Sequence, residues 1–520
     1  MTPPVEREIK LRLPRDAVGL LLRHPALARH QSGRARRRKL ASTYFDTASL
    51  RLAKSGVGVR MRRDGRRWIQ TVKGPAAAES GGGLAARPEY EWAIGSSTKM
   101  PAPDVTRLAT TPWRRKLLKA VRGGLAPIFA TEFTRTEIPL VLPGRTTAML
   151  AVDVGMIRAV DSRRRVDLCE VELELKSGSI APLFRFALAL ADDLPLSIEP
   201  ASKAVRGVRL VSSTTPQPVH AENVMLASDA TAGDALASIM RACLRQIEGN
   251  ADGLLLDDDA EWIHQMRIGT RRLRACLSLL AHLVTSEPLS RLIADVKWLA
   301  SALGPARDLD VLALETLPDL RRGARDADAT SSRAIRSFAG KVIAQRKQAR
   351  KAARDAVGSR RFVHLILVAG MLAATPAFGV SGAAAAAATK APAREFAARL
   401  LGRRQKKLLG RGEGLPDAPA EARHQARIAA KKLRYATEFF ADLFPGKRAR
   451  AYRKSLTRLQ DVLGVINDTA VAARLAREIA GADSNSAALL QGWAAAQATL
   501  ANEDLALGWR DFSRAKTFWD

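Results

Sequence analysis

Glu6, Glu8, Lys10 and Arg12 alternate with the apolar Ile9, Leu11 and Leu13 near the start of the chain. At the two-residue period of a β-strand this puts two carboxylates, an ammonium and a guanidinium on one face and an apolar seam on the other. The pattern returns. Arg60 and Arg62 alternate with Val59 and Met61, Glu170, Glu172, Glu174 and Lys176 alternate with Val171, Leu173 and Leu175, and Arg87, Glu89 and Glu91 share one side of a further run. One such strand is an ordinary solvated strand, whereas several with mixed acid and base on one face predict a sheet curled around a polar interior. Guanidinium forks pair bidentately with phosphate oxygens and ammonium groups act as point charges, so the bases suit a chain of phosphates. Carboxylates in the same cavity repel that anion unless divalent cations lie between, taking oxygen ligands from glutamate and from phosphate. These are the ingredients of phosphoryl transfer or hydrolysis.

Strands must position these groups, and residues 1 to about 212 read mainly as β. After the first strand, Asp16 to Ala28 reads as a short helix and Arg34 to Lys39 as a solvated loop. Ser42 to Thr47 is a strand ending in a turn. Asp64-Gly65 sets a hairpin that brings Lys73 back beside Arg60 and Arg62. Gly74 to Ala86 is a loop. Further strands are expected at Phe129–Ile138, Thr147–Asp153 and Arg165–Lys176, and Lys203 and Arg206 lie beside a final helix.

The motifs Glu6-x-Glu8-x-Lys10, Tyr44-Phe45-Asp46-Thr47, Arg60-x-Arg62, Arg87-x-Glu89-x-Glu91, Asp153-x-Gly155 and Glu170-x-Glu172-x-Glu174 together resemble the CYTH, or triphosphate tunnel metalloenzyme, family. The resemblance covers about residues 3 to 210. It implies an antiparallel eight-stranded β tunnel with flanking helices, whose lumen binds a triphosphate with Mg²⁺ or Mn²⁺. It further implies that Lys10, Arg60, Arg62, Lys73, Arg87, Arg135, Lys203 and Arg206 bind substrate. Glu6, Glu8, Asp153, Glu170, Glu172 and Glu174 would hold metal, with Glu6, Glu8, Lys10, Glu170 and Glu172 as the catalytic set. One ion would bridge the triphosphate and a second would orient the attacking water.

Past a Ser/Thr/Pro linker (residues 213–228) the chain reads as helical, with Asp229 or Thr231 as the first cap. Here it repeats itself. His264-Gln265-x-Arg267-Ile268-x-x-Arg271-Arg272-Leu273-Arg274 returns as His424-Gln425-x-Arg427-Ile428-x-x-Lys431-Lys432-Leu433-Arg434, and Leu303-Gly304-x-x-x-Asp308 returns as Leu463-Gly464-x-x-x-Asp468. Both pairs share one offset, the mark of a duplicated unit. The copies span about 229–380 and 390–515, with Ser381 to Ala388 as their connection. On a helix at about 100° per residue, positions 264, 267, 271 and 274 fall within roughly an 80° arc, so a histidine and three arginines form one stripe. His424, Arg427, Lys431 and Arg434 repeat it. Arg346, Lys347, Arg350, Lys351 and Arg354 form a further stripe, either exposed or facing the same ligand. The repeated motifs, with Leu303 to Asp310, resemble the CHAD family over about residues 229 to 515. That resemblance implies an all-α pseudo-symmetric pair of helical bundles binding inorganic polyphosphate through His264, Arg267, Arg271, Arg272, Arg274, His424, Arg427, Lys431, Lys432 and Arg434. The second copy departs from the first, with Asn467 where the first has Arg307.

Lysine and arginine number 84 against 52 acidic residues, a formal charge of +32, which points to a polyanion: nucleic acid, anionic membrane or phosphate polymer. Aromatic residues are 5% of the chain, leaving few platforms for stacking bases. The scattered Cys169, Cys243 and Cys276 make neither a disulfide framework nor a zinc spacing, and a reducing cytoplasm is expected, with association to polyphosphate stores. The first residues lack the apolar core of a signal peptide, and Phe362 to Ala374 is too short to span a bilayer and reads as a buried helix. The expected α+β two-domain chain is thus a metal-dependent inorganic triphosphatase with a polyphosphate-binding helical domain, with neither a specific nucleic acid nor a membrane as partner. Nucleoside or thiamine triphosphatase, adenylate cyclase and a non-catalytic polyphosphate-granule protein stay open as alternatives.

Overall fold

A computed structural model describes residues 5–212, 216–323, 329–375, 378, 383–481 and 484–519. The chain divides into two compact units, Met1–Pro218 with Gly358–Thr375, and Val219–Val357 with Pro376–Asp520.

In the first unit the strands are β1 (Val5–Arg12), β2 (Arg36–Asp46), β3 (Gly58–Asp64), β4 (Arg67–Lys73), β5 (Leu84–Ser96), β6 (Ala126–Leu142), β7 (Thr146–Ala159), β8 (Arg165–Ser177) and the short β9 (Ser197–Ile198). They pair antiparallel in the order β5-β4-β3-β2-β6-β7-β8-β1-β9, and β5 also pairs with β1 from Val5↔Pro88 to Ile9↔Leu84. That extra pairing closes eight strands into a barrel, with the period-two pattern turned inside out. Val59, Met61 and Val72 face outward beneath Leu108, Leu117 and Ala120 of two short helices, so this part of the apolar core lies outside the barrel wall. The Ala181–Asp193 helix covers the far side, burying Leu183, Phe184, Ala187 and Leu190. The Asp64-Gly65 hairpin forms as expected, with Gly65 at φ +61°.

Two local expectations differ. Residues 36–39 belong to β2, because β6 is long enough to pair them from Arg36↔Glu137 onward, and Arg38 meets Glu137 there through two hydrogen bonds of 2.7 and 2.8 Å. The helix expected over residues 16–28 is broken in two. Pro25 starts a new helix, and the His24 ring accepts the Ala26 N–H at 3.1 Å.

The Arg360–Ala374 helix, expected inside the helical half, packs in the first unit. Phe362, Leu365, Ile366, Leu367 and Ala369 are buried, consistent with its nearly unbroken apolar sequence. It lies against the Ala181–Asp193 helix and β9. Gly370 meets the Gly82 backbone so closely that a Cβ there would sit 2.1 Å from the Gly82 carbonyl oxygen. Leu367, Ile198 and Ile9 of β1 gather around Gly83. Among the described residues no single helix is long and apolar enough to cross a membrane.

In the second unit each copy supplies four long helices: Ala232–Gly249, Ala260–Leu280, Glu287–Val311 and Ala329–Val357 in the first, Ala393–Gly412, Ala420–Phe439, Lys447–Ala480 and Asn485–Ser513 in the second. Thr231 caps the first with a reciprocal Thr231/Asp234 box. Residues 213–215 of the expected linker, and 381–382 of the expected connection, lie outside the described residues. The rest of the linker is partly docked, since the Val219 N–H donates to Asn250 Oδ1 at 3.0 Å.

Candidate active site and anion-binding face

The barrel interior is a cavity of about 650 Å³ lined by charged side chains from every barrel strand except β7. Cross-strand register stacks these side chains in layers: Glu6 faces Arg87, Glu8 faces Glu174, Lys10 faces Glu172 and Lys73 faces Glu89. The Lys203–Ser212 helix carries two further cations one turn apart, Lys203 and Arg206. It approaches the barrel at Gly207, where a Cβ would lie 2.2 Å from the Phe129 ring, so only glycine allows the contact that holds Lys203 in place.

Two groups of carboxylates emerge from the six expected to hold metal. Asp153, Glu170 and Glu172 are buried and each brings one oxygen within 4.8 Å of the others. The Lys203 ammonium lies among them, 2.7 Å from Asp153 Oδ2, 2.9 Å from Glu172 Oε1 and in contact with Glu170. Arg135 grips both Asp153 oxygens at 2.7 Å and also reaches Glu172, while Arg206 meets Glu170 at 3.1 Å. Burial opposes the charge on Glu172, but Lys203, Lys10 and Arg135 outweigh it and hold its carboxyl well below the usual range. The second group faces the other bases. Glu6 pairs with Lys73, which also meets Glu89 at 3.1 Å. Glu8 takes Lys10 at 2.9 Å, and Glu174 pairs with Lys176.

These pairs leave Glu8 the least compensated. Burial raises its carboxyl, Lys10 only partly opposes, and Glu172 and Glu6 add to the rise, so it is pushed up to about 7. Glu6 shows the reverse outcome: burial raises it, yet Lys73 and hydrogen bonds hold it down at about 2. All six groups are hard oxygen donors of the kind Mg²⁺ and Mn²⁺ take. Asp153, Glu170 and Glu172, whose ligand oxygens already converge, form a donor set that fits a divalent cation.

Arg60 meets Glu89 at 3.3 Å and Glu91 at 3.4 Å, and Arg62 meets Glu91 at 3.2 Å, with Thr71 donating to Glu91 at 2.9 Å. Arg87 lines the same cavity, yet among the described residues it makes no ion pair; burial pulls its guanidinium down. Glu89, Glu91, Thr71, Arg38 and Glu199 were not assigned from sequence. Glu89 and Glu91 had a signal, their alternation with Arg87. Glu199 had none: it sits past β9 and reaches Arg12 at 3.0 Å and Arg206 at 3.6 Å only through the fold.

In the helical unit the two repeated motifs prove to be partners. Gly304 leaves room for Arg267, whose guanidinium nitrogen would lie 2.9 Å from a Cβ there, and Asp308 pairs with Arg267 at 3.3 Å. The second copy repeats the pair loosely, Arg427 to Asp468 at 4.0 Å. The stripes converge where the Ala260–Leu280 and Ala420–Phe439 helices pack. Burial and then Arg271, Arg427 and Arg267 push Lys431 down to about 7, and burial and then Arg307 lower His264.

Other expected members fall elsewhere. Arg272 is buried, donating to Gln246 Oε1 at 3.1 Å and lying over the Phe439 ring. Arg434 pairs with Glu438 at 3.1 Å, and Arg274, His424 and Lys432 are exposed. The additional stripe is largely structural: Arg346 and Arg350 hold the buried Asp310 at 2.6 and 3.2 Å, and Arg354 caps the carbonyls of Leu254 and Asp257.

Residues 5–208 match the family model described as CYTH domain, and residues 238–477 match that described as CHAD domain. An inorganic triphosphatase of Haemophilus influenzae is 32% identical over 173 residues, 33% of this chain and 46% of that protein, so the chain spans about half the length of this curated relative. Among solved structures, the CHAD domain from the plant Ricinus communis is 33% identical with a TM-score of 0.48, covering 57% of this chain and 97% of that one. PptA from Streptomyces chartreusis is 20% identical with a TM-score of 0.38, covering 54% and 100%.

Proposed function

The chain carries a CYTH domain followed by a CHAD domain, and on that footing we propose that it is a metal-dependent inorganic triphosphatase with a polyphosphate-binding helical half. The reading rests on one observation: a closed lumen in which Lys10, Arg60, Arg62, Lys73, Arg87 and Arg135 face Glu6, Glu8 and Glu172 across a single cavity. A pure phosphate binder gains nothing from the acidic groups. The relative named inorganic triphosphatase supports the substrate class.

The lumen's bases bind the triphosphate oxygens by charge-assisted hydrogen bonds. Lys10, Arg60, Arg62, Lys73, Arg87, Arg135, Lys203 and Arg206 would share the phosphate oxygens between them. Glu6, Glu8, Asp153, Glu170, Glu172 and Glu174 would hold Mg²⁺ or Mn²⁺, which would neutralise charge between carboxylate and phosphate and favour ionisation of the attacking water. The protein aligns the chain so that one water attacks the terminal phosphorus and the P–O bond to its bridging oxygen breaks, tripolyphosphate and water giving pyrophosphate and orthophosphate. Glu8, raised to about 7 by burial and by Glu172 and Glu6 when no cation is bound, would lose its proton as it takes up the metal. In the helical half, Arg267, Arg271, Arg427 and Lys431 form the face for longer chains.

The test is phosphate release from tripolyphosphate, ATP and long-chain polyphosphate in parallel, with Mg²⁺, with Mn²⁺ and with chelator. Metal-dependent release with tripolyphosphate far ahead is expected. ATP in the lead would make this a nucleotide enzyme, and no release alongside tight polyphosphate binding would make it a scaffold. Unchanged hydrolysis in the Glu6→Gln, Glu8→Gln double variant would overturn the site.

A further inference from the structure

The duplicated motif places Lys432 where the first copy has Arg272, and the two environments differ. Arg272 is buried: Gln246 bonds it on one side, and its other nitrogen donates to the Glu222 carbonyl at 3.4 Å. Residues 219–222 lie over this groove between the Ala232–Gly249 and Ala260–Leu280 helices, with Val219 on Asn250 and Glu222 on Arg245. In the second copy Lys432 is exposed, and the facing Ala393–Gly412 helix carries Arg403, Arg404, Lys407 and Arg411. Positions 404, 407 and 411 follow helical spacing and share a face about 10 Å long at 1.5 Å per residue.

Arg404 reaches across to donate to the Lys432 carbonyl, and Arg411 donates to the Gln425 carbonyl at 3.3 Å, so both guanidinium groups line the seam between the helices. The strongest charges acting on Lys432 are all cations: burial lowers it first, then Arg404, Lys407, Arg411 and Arg274. Burial and Arg403 likewise push Arg404 down to about 10. On the paired stripes, by contrast, Asp308 and Asp468 offset Arg267 and Arg427.

We propose that Arg403, Arg404, Lys407, Arg411 and Lys432 form a second anion-binding groove, present only in the second copy, that takes a run of phosphates from a linear polyphosphate chain. Lys432 lies about 100° around its helix from Lys431, so the groove is a different face from the paired stripes. Arg274, a stripe residue on the first copy, acts electrostatically on Lys432 and marks where the two faces adjoin. A chain long enough to leave the stripes is thereby gripped twice, whereas a short one is gripped once. The inference rests on the polyphosphate reading of the helical half.

The test uses the full chain with the exposed cations reversed (Arg403→Glu, Lys407→Glu, Lys432→Glu), beside a stripe variant (Arg271→Gln, Lys431→Gln) and a charge-keeping control (Arg403→Lys, Lys407→Arg, Lys432→Arg). Binding is measured against polyphosphate of about 100 units, polyphosphate of about 10 units and duplex DNA over a salt series. The groove variant should lose tenfold or more for the long chain and little for the short one, with the salt slope shallower by roughly two to three charges. The charge-keeping control should bind as the parent does. Long-chain binding unchanged in the groove variant but weakened in the stripe variant overturns the groove and leaves the polyphosphate reading standing. Long-chain binding unchanged in both overturns both. Loss of DNA binding alone overturns the groove as a polyphosphate site and assigns it to nucleic acid.

Discussion

Replacing Lys203 by methionine removes the ammonium from between Asp153, Glu170 and Glu172 while keeping most of the side-chain volume. Breaking a buried ion pair by removing one partner costs about 3–5 kcal/mol, because the other charge is left without compensation. Here Arg135 still holds Asp153 and Glu172, and Arg206 still holds Glu170, which places the cost near the lower end, about 3 kcal/mol. For a unit of this size that is a fall of roughly 6–12 °C in the melting temperature of the tunnel. Calorimetry on the full chain in chelator reads it directly. Two features identify the cause. Lowering the pH should shrink the deficit, since protons can replace the missing ammonium on the carboxylates. Mn²⁺ should shrink it too, by about 1.4 kcal/mol for each tenfold by which the variant, freed of the competing ammonium, binds the ion more tightly than the parent. A deficit below about 1 kcal/mol, indifferent to both pH and Mn²⁺, would refute the view that Lys203 neutralises a cation site.

Glu8, pushed up to about 7, holds a proton in the metal-free protein at lower pH, so divalent affinity should rise about tenfold per pH unit up to neutrality and then level; Glu8→Gln should flatten that slope in a Mn²⁺ titration. Arg87→Ala leaves no carboxylate unpaired, so thermal stability should hardly move while KM for tripolyphosphate rises roughly 10- to 100-fold, the worth of a hydrogen bond between charged groups; an unchanged KM would remove Arg87 from the site. Lys431, pushed down to about 7, is charged only below neutrality until an anion binds, so polyphosphate affinity should fall between pH 6 and pH 8, and Lys431→Arg should abolish the dependence. Gly370→Leu drives a side chain into the Gly82 carbonyl and should destabilise the tunnel unit by about 1–3 kcal/mol, measured as hydrogen exchange at β1; normal protection there would show the helix contact to be dispensable.

Much of this was legible in the chain because one period governs it. Alternation of charge and apolar residues in β1, β3, β5 and β8 marks inward and outward faces whatever the sheet topology, and the 160-residue repeat marks the paired stripes. What sequence could not give is which base meets which acid. Lys203 and Arg206 lie far along the chain from Asp153 and Glu170, and nothing local says that a close Gly207 contact carries them into the same layer. Arg271 and Arg272 look alike as a doublet, yet one helical step separates the stripe from the core. Residues 36–39 read as loop because four basic residues promise solvent, which they have, but backbone pairing to β6 decides strand or loop.

The Arg360–Ala374 helix carries a consequence for the order of events at synthesis. The barrel strands are complete once residue 177 is made, and the Lys203–Ser212 helix follows soon after. The apolar surface around Gly83, Ile198 and the Ala181–Asp193 helix must still wait for a helix encoded far downstream. At about 5–20 residues per second, the roughly 150 residues between Pro218 and that helix take on the order of 10–30 s to emerge. Through that interval the nascent tunnel exposes a greasy strip to whatever holds unfinished chains. The helical half begins to form while its neighbour is incomplete, and it is itself complete only after Pro376–Asp520 have followed.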